Sequence, residues 1–194
     1  MSKQSKFRIT GGRLRGRILS SPPNLRTRPM QGSLREALFN ILGPDVEDAS
    51  VLDLFSGTGS VGIEALSRGA ASCVFCENYR PALKVLHRNI EALGLAEETK
   101  IVKINLLAAG PFPATGREPF KIVFLDPPFA FHDEGTRRDL GGLVERLASR
   151  AWLEDGAVLV LHLRKDQAPP PALGPLRPSE PREYGSVFLT FYRQ

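Results

Sequence analysis

Residues 1–35 contain no aspartate or glutamate, although the chain of 194 residues has 21 acidic residues in all. The same stretch has nine basic residues: Lys3, Lys6, Arg8, Arg13, Arg15, Arg17, Arg26, Arg28 and Arg35. Such a one-sided charge favours an anionic polymer as partner. The alternative is an ordinary solvated surface with some excess of positive charge. We predict that the stretch binds nucleic acid through Arg8, Arg13, Arg15, Arg17, Arg26 and Arg28.

Long apolar runs are also lacking. No run approaches the ~20 apolar residues that a membrane-spanning helix needs. The opening segment "MSKQSKFRIT" has no apolar core of the kind found in secretory signals. We therefore expect a cytoplasmic protein with no membrane partner.

Cysteine is scarce, with only Cys73 and Cys76 in a C-x-x-C spacing. A redox or zinc motif is one interpretation, but no second cysteine pair is present to complete a zinc site. The stretch "SCVFCE" has the composition of a strand, in which positions i and i+3 point to opposite faces. We predict two buried apolar thiols and no metal site.

Two parts of the chain differ in pattern. The segment "FRITGGRLRGRIL" predicts a small β-hairpin, and the pair Gly11-Gly12 suits a tight primed turn. We predict a basic hairpin and loop over residues 1–30 that binds nucleic acid, followed by a larger domain over residues 31–194.

The larger domain begins with a helix and continues with alternating strands and helices. Ser33 and Glu36 have the spacing of a capping box at the start of the helix "SLREALFNIL". The alternation predicts an α/β fold, with a parallel sheet and helices on both faces. The proline-rich run over residues 167–182 predicts an extended loop, and "REY" and "SVFLTFYR" predict an antiparallel hairpin. The predicted buried strands are "VLDLF", "SCVFCE", "KIVKI", "KIVFLD" and "AVLVLHL".

A glycine loop follows the first of these strands. Gly57, Gly59 and Gly62 form a G-x-G-x-x-G that opens a helix, and Glu77 ends the next strand. Glycines allow a sharp turn and close approach of a ligand, and an acid at that strand end can accept ribose hydroxyls. NAD and S-adenosylmethionine (SAM) fit these features equally.

Asp53, at the end of the first strand, separates the two cofactors. A pyrophosphate gains nothing from a neighbouring carboxylate, whereas the sulfonium and ammonium of SAM are both positive. The alternative is a polar residue that caps the loop. The order of Asp53, the glycine loop and Glu77 favours SAM.

The segments "VLDLFSGTGSVGIEALSRGA", "CEN" and "DPPF" resemble the class I SAM-dependent methyltransferases. More narrowly, "RITGGRLRGRIL", "RP…LREALFNIL" and "YG…FYR" resemble the RsmD family of bacterial 16S rRNA guanine-N2 methyltransferases, over residues 7–193. The resemblance implies a Rossmann-like, seven-stranded sheet with SAM at the carboxyl ends of its strands. It places Glu77 at the ribose and Asn105 near the adenine amino group. The cofactor-binding residues predicted in this way are Asp53, Phe55, Ser56, Gly57, Thr58, Gly59, Glu77, Asn78, Asn105 and Leu106.

The tetrad Asp126-Pro127-Pro128-Phe129 is predicted to be catalytic. The lone pair of an exocyclic amine on a nucleobase is delocalised into the ring. An acceptor such as the Asp126 carboxylate or the Pro127 carbonyl pulls the amine towards a pyramidal shape and frees that lone pair. The prolines limit the conformations of these acceptors, and Phe129 offers a face for an unstacked base. The alternative is a rigid turn with no chemistry.

The tetrad does not choose among N2 of guanine, N6 of adenine and N4 of cytosine, because all three present an N–H to a carboxylate. The RsmD resemblance implies guanine N2 in 16S rRNA, with rRNA or a small-subunit assembly intermediate as partner and a monomeric enzyme. The competing hypotheses are a DNA adenine-N6 methyltransferase and a non-catalytic RNA-binding assembly factor. Few residues remain for reading duplex DNA sequence, and the intact motifs favour an enzyme.

Overall fold

A computed structural model of the protein describes residues 6–21, 30–107, 113–127, 134–179 and 181–193. The helices are α1 (Gly32–Leu42), α2 (Ser60–Ser67), α3 (Arg80–Leu93) and α4 (Glu134–Ser149). The strands are β1 (Lys6–Arg8), β2 (Ile18–Ser20), β3 (Ser50–Leu54), β4 (Ser72–Glu77), β5 (Thr99–Lys103), β6 (Phe120–Leu125), β7 (Leu153–Arg164), β8 (Arg177–Pro178), β9 (Arg182–Tyr184) and β10 (Val187–Arg193).

The central sheet has the strand order β5-β4-β3-β6-β7-β10-β8, and β9 also pairs with β10. The first five strands in this order are parallel, whereas β10 is antiparallel to β7, β8 and β9. The predicted α/β fold is therefore confirmed, as is the final antiparallel hairpin. The described part of this sheet holds eight strands, because the proline-rich run contributes the short β8 to its edge.

Apolar residues alternate between the two faces of the sheet. In β6, Ile122 and Phe124 pack with the face that α1, α2 and α3 cover, and Val123 and Leu125 pack with α4. The alternation follows from the two-residue period of a strand. Helices therefore cover both faces, as the sequence predicts.

The two cysteines follow the same period. Cys73 lies in the core under α2 and α3, whereas Cys76 lies in the core on the opposite face. Both thiols are buried and free, as predicted. Among the described helices, none combines the length and the apolar character that crossing a membrane requires.

The start of α1 differs from the prediction. The helix begins at Gly32, with Gln31 as the N-cap residue and no side-chain capping bond. Ser33 thus lies inside the first turn, where its hydroxyl cannot occupy the N-cap position that a capping box requires. The predicted capping box of Ser33 and Glu36 is wrong.

The N-terminal strands β1 and β2 pair antiparallel, with Lys6 opposite Ser20 and Arg8 opposite Ile18. The predicted tight turn at Gly11-Gly12 is wrong, because the connection runs over residues 9–17. The backbone of this connection instead follows the end of α2. Gly11 N–H donates to Glu64, and the Gly11 carbonyl accepts from the Ser67 hydroxyl.

Glu64 on α2 is the centre of a buried polar cluster between the hairpin and the larger domain. Its carboxylate accepts hydrogen bonds from the backbone N–H groups of Thr10 and Gly11 and from the guanidinium groups of Arg35 and Arg68. Burial alone would raise the pKa of Glu64, but these donors hold it below its ordinary value. Arg35 is 1 % exposed and is therefore no part of a surface for nucleic acid.

Candidate active site at the carboxyl edge of the sheet

Three strands, β3, β4 and β6, end side by side at one edge of the sheet, and β7 continues past them to Arg164. Leu54 of β3 pairs with Cys76 of β4 and with Leu125 of β6, and Leu125 pairs with Leu161 of β7. In parallel strands, the next residues stand in the next row across the sheet. In strand order, this row is Glu77, Phe55, Asp126 and His162.

The glycine loop begins at Phe55, which is one of the four residues of this row. Phe55 has φ +61°, a left-handed conformation that non-glycine residues rarely adopt, followed by Gly57 at φ +57° and Gly59 at φ +82°. Strain of this kind at a site lined by polar groups is typical of a ligand-binding loop. The backbone N–H of Ser56 donates to the carbonyl of Cys76, which fixes the loop to β4.

Gly62 has a packing role. A Cβ at Gly62 would lie 2.4 Å from Cε1 of Phe75 and 2.6 Å from Sγ of Cys73. The third glycine of the motif therefore lets α2 lie close against β4. Its backbone N–H also donates to Oδ2 of Asp53, at 3.0 Å.

Asp53 is 2 % exposed and is held by this hydrogen bond. Burial, reinforced by the negative charges of Asp126 and Glu77, raises the pKa of Asp53 to about 8. The loop-capping contact is thus present in the structure. The predicted contact with a cationic cofactor stays a prediction.

The carboxylate of Glu77 is oriented by three backbone N–H groups. Oε2 accepts from Gly57 at 2.8 Å, and Oε1 accepts from Asn78 and Tyr79 at 2.7 Å each. These contacts tie the acid of β4 to the glycine loop of β3. Because a carboxylate has about four acceptor sites and three are occupied here, Oε2 keeps one further lone pair for a hydroxyl group.

A cavity of about 500 Å³ lies beside Glu77. Five residues predicted to bind the cofactor line it, namely Phe55, Glu77, Asn78, Asn105 and Leu106. No sequence motif indicated the other lining residues, which are Cys76, Tyr79, Arg80, Pro81, Ile104 and Leu107. The side-chain oxygen of Asn105 accepts the backbone N–H of Leu107 at 3.3 Å, which orients the amide at the rim.

Asn89 on α3 connects the hairpin to the glycine loop. Its side-chain oxygen accepts the backbone N–H of Ser20, and its amide nitrogen donates to the carbonyls of Ser20 and Thr58. Asn89 is 3 % exposed, so these bonds are shielded from water. Thr58 belongs to the predicted cofactor loop, and no sequence pattern indicated this connection.

Asp126 and Pro127 directly follow β6, whereas Pro128 and Phe129 lie outside the described residues. Oδ1 of Asp126 is 2.8 Å from Nδ1 of His162 on β7. No sequence motif indicated His162 as part of the site. The contact depends on the register of β6 and β7, which the sequence alone does not provide.

Four of the six arginines predicted to bind nucleic acid are described, and all four are exposed. Arg13 pairs with Glu98, Arg17 donates to the carbonyl of Ala92, and Arg8 donates to the carbonyl of Gly16. Arg15 makes no side-chain hydrogen bond or ion pair with the described part of the chain. Arg26 and Arg28 lie outside the described residues.

The mostly parallel sheet with the antiparallel β10 beside β7, together with the glycine loop after β3 and the acid at the end of β4, matches the class I methyltransferase fold. A solved structure of the E. coli protein yhhF matches 98% of both chains, with a TM-score of 0.78 and 32% identity. An RNA methyltransferase from Salinibacter ruber, solved with S-adenosyl-L-homocysteine, matches 86% of this chain and 93% of its own with a TM-score of 0.59. At 17% identity, that second likeness shows the fold alone.

The chain belongs to the family described as "Conserved hypothetical protein 95", whose sequence profile matches residues 7–193. This is the RsmD family, so the resemblance seen in the sequence is confirmed. The chain is similar to "Ribosomal RNA small subunit methyltransferase D" of E. coli K12, with 37% identity over 81% of this chain and 75% of that protein. It is a SAM-dependent methyltransferase.

Proposed function

We propose that the protein transfers a methyl group from SAM to the exocyclic N2 of a guanine in 16S rRNA. The E. coli relative is named as a methyltransferase of the small ribosomal subunit RNA, which supports rRNA as the substrate. Guanine N2 is the family's activity, as implied by the resemblance. We further propose that the enzyme acts in the cytoplasm as a monomer, on rRNA or on an assembly intermediate.

The cavity beside Glu77 fits the nucleoside part of SAM. Its volume of about 500 Å³ suits a small-molecule site, and it is lined by apolar residues with a few polar groups. Glu77 binds the ribose hydroxyls, Asn105 and Leu106 border the adenine, and Asp53 favours the positive charges near the glycine loop. SAM supplies the methyl group on a positively charged sulfur.

Asp126 binds the amine that receives the methyl group. Its carboxylate accepts a hydrogen bond from the amine N–H, which draws the nitrogen lone pair out of conjugation with the ring. Because this bond strengthens as the nitrogen becomes pyramidal, it stabilises the transition state more than the bound substrate. Pro127 and Pro128 restrict the backbone at this point, and Phe129 stacks with the base.

The hairpin binds the RNA backbone. Arg8, Arg13, Arg15 and Arg17 are exposed on it, and Arg26 and Arg28 follow in the sequence. Guanidinium groups form paired hydrogen bonds with phosphate oxygens and bring a substrate to the site without reading its sequence. The bonds of Asn89 and Glu64 hold this surface in a fixed position relative to the cofactor loop.

The observation that carries the proposal is the row of Glu77, Phe55, Asp126 and His162 beside the cavity. The test is methylation of 16S rRNA, small subunits and duplex DNA with isotope-labelled SAM, followed by nucleoside mass spectrometry. We expect N2-methylguanosine from rRNA or subunits, and one missing methyl group in rRNA from cells that lack the protein. N6-methyladenine in the DNA would favour the DNA enzyme, and SAM binding without transfer to any substrate would favour an assembly factor.

A further inference from the structure

His162 contacts Asp126, and neither residue lines the cavity that we propose for the cofactor. The imidazole Nδ1 is 2.8 Å from Oδ1 of Asp126, and its side chain is 11% exposed against 29% for Asp126. His162 stands on β7 beside the end of β6, one residue past the paired Leu125 and Leu161. The contact therefore joins the first residue after β6 to a residue within β7, and the pairing of these two strands brings the residues together.

We propose that His162 is a positioning residue, which fixes the orientation of the Asp126 carboxylate through an Nδ1–H hydrogen bond so that the carboxylate can accept the substrate amine. This inference rests on the proposed function, in which Asp126 contacts that amine. It adds a residue on a neighbouring strand to the tetrad that the sequence indicates.

The chemistry of the two groups decides which of them donates. An ionised carboxylate has no proton to give, so the proton between Oδ1 and Nδ1 belongs to the imidazole. Nε2 of His162 is buried and has no hydrogen-bond partner among the described residues. In the neutral ring a bare lone pair at that position costs less than an unpaired N–H, and in the charged ring both nitrogens carry hydrogens, so Nδ1 carries a hydrogen in either form.

The surroundings of the pair are largely apolar. On β10 the residue opposite His162 is Leu189, which is fully buried and uncharged. On β3 the carboxyl group on the same face is Asp53, which interacts electrostatically with Asp126. Burial alone would lower the pKa of His162, but the charge and the hydrogen bond of Asp126 raise it above its ordinary value.

A fixed carboxylate matters because the reaction demands a defined direction of attack. The amine nitrogen forms a bond to the methyl carbon as the carbon–sulfur bond breaks. The electron pair of the broken bond stays on sulfur, and the nitrogen then releases one proton to Asp126 or to water. A carboxylate that rotates freely would spend part of its time with its lone pairs turned away from the amine.

The test compares two substitutions of His162 with Asp126→Ala. His162→Leu removes the donor but keeps an apolar group of similar volume, whereas His162→Asn keeps an N–H close to the position of Nδ1. Single-turnover methylation with saturating SAM gives the rate of transfer, and titrations give the affinities for RNA and SAM. We expect His162→Leu to slow transfer about 10–100-fold, as when a bond that orients a reactive group is removed. We expect both affinities to stay unchanged and His162→Asn to restore most of the rate.

Two further measurements separate positioning from general support of the fold. In the Asp126→Ala background, His162→Leu should add no further loss, because the carboxylate it positions is gone. In the protein without cofactor, NMR titration of His162 should give a lower pKa in Asp126→Asn than in the wild type. This readout does not depend on activity, and it holds even if His162→Leu does not fold.

The outcomes distinguish the two proposals. A wild-type rate in Asp126→Ala would overturn the proposed role of Asp126 itself. A slow Asp126→Ala enzyme together with a wild-type rate in His162→Leu would overturn only the positioning role. Equal losses in His162→Leu and His162→Asn, or a His162 pKa that ignores Asp126→Asn, would also overturn it.

Discussion

Gly12 and Ser67 approach so closely that no side chain fits between them. A Cβ at Gly12 would lie 1.7 Å from the carbonyl oxygen of Ser67, and Gly12 has φ +73°. The same carbonyl accepts the backbone N–H of Arg13 at 2.7 Å. The N-terminal hairpin is thus attached to the end of α2 by backbone contact as well as by the cluster at Glu64.

We expect Gly12→Ala to lower the free energy of unfolding more than Gly16→Ala does. Gly16 has φ +83° and open space around its Cβ position, so it is a matched control for the backbone strain. That strain alone costs about 1–2 kcal/mol, and the clash at Gly12 adds about 1–3 kcal/mol of overpacking. Urea unfolding of both variants measures the difference. Equal losses would show that the close approach to Ser67 is not needed for stability.

Glu77→Ala should weaken SAM binding by ~1.5–3 kcal/mol, the scale of a hydrogen bond to a charged group. The carboxylate is held in place by the N–H groups of Gly57, Asn78 and Tyr79, so it is ready to accept ribose hydroxyls. Calorimetric titration with SAM measures the loss. Glu91→Ala, which removes an exposed carboxylate from α3, is the control. An unchanged SAM affinity in Glu77→Ala would show that Glu77 does not bind the ribose.

Asp53 should make stability depend on pH in the protein without cofactor. Its pKa is raised to about 8, whereas an unfolded Asp has ~3.9. Between these values the native protein holds a proton that the unfolded chain has released, so the free energy of unfolding falls as the pH rises. Asp53→Asn should flatten this dependence, whereas Asp166→Asn at an exposed position should not. Urea unfolding over this pH range measures whether the free energy of unfolding falls as the pH rises.

The same carboxyl group gives a second readout. If the positive charges of SAM favour ionised Asp53, binding near neutral pH should release a proton. Calorimetry in two buffers of different ionisation enthalpy measures this release, and Asp53→Asn should abolish it. Equal heats in both buffers for the wild type would contradict a contact between Asp53 and the cation.

Asp126→Ala should slow methyl transfer about 10²–10³-fold, by analogy with removal of one preorganised electrostatic group. Asp126→Asn keeps a neutral acceptor and should be less damaging. SAM affinity should be nearly intact in both, because the proposed cofactor contacts lie at Glu77 and the glycine loop. In Phe129→Ala, docking of the base should instead weaken by ~1–3 kcal/mol of stacking. Single-turnover kinetics with rRNA separates these effects.

Replacing Arg13, Arg15 and Arg17 with Ala should weaken RNA binding and flatten its salt dependence. The slope should fall by ~0.7–0.9 log units for each phosphate that the protein no longer neutralises. SAM affinity should not change. It serves as a control for correct folding, because Arg13 and Arg17 also contact Glu98 and the carbonyl of Ala92. Arg164 at the end of β7, Lys165 directly after it and Arg177 on β8, changed together to Ala, are the charge-matched control. Equal salt slopes in the two triple variants would show that the hairpin has another purpose.

The sequence predicts the order of elements because local patterns carry it. Short apolar runs mark the strands, and Gly94 ends α3 in the left-handed conformation that glycine adopts without strain. The predicted cofactor residues Phe55, Glu77 and Asn105 meet at one cavity because parallel strands end at one edge. These parts of the site depend only on where each strand stops.

Contacts between distant segments could not be predicted in this way. Gly11 and Gly12 have the composition of a tight turn, but tertiary contacts with α2 determine the course of the backbone there. Arg35 has the sequence context of a surface cation, yet Glu64 binds it inside the protein. The contact of His162 with Asp126 requires the register of two strands separated by the whole of α4.

The row at the edge of the sheet also fixes the distance between two of its acidic residues. Glu77 and Asp126 stand two strands apart, with Phe55 between them. Neighbouring strands are separated by ~4.8 Å, so the two acids are offset by about 10 Å across the ladder. In the proposed reaction, the pairing of β4, β3 and β6 thus sets the distance between the group that binds the ribose and the group that binds the amine. A substitution in the loops beyond these two acids leaves their spacing unchanged, because the pairing of β4, β3 and β6 sets it.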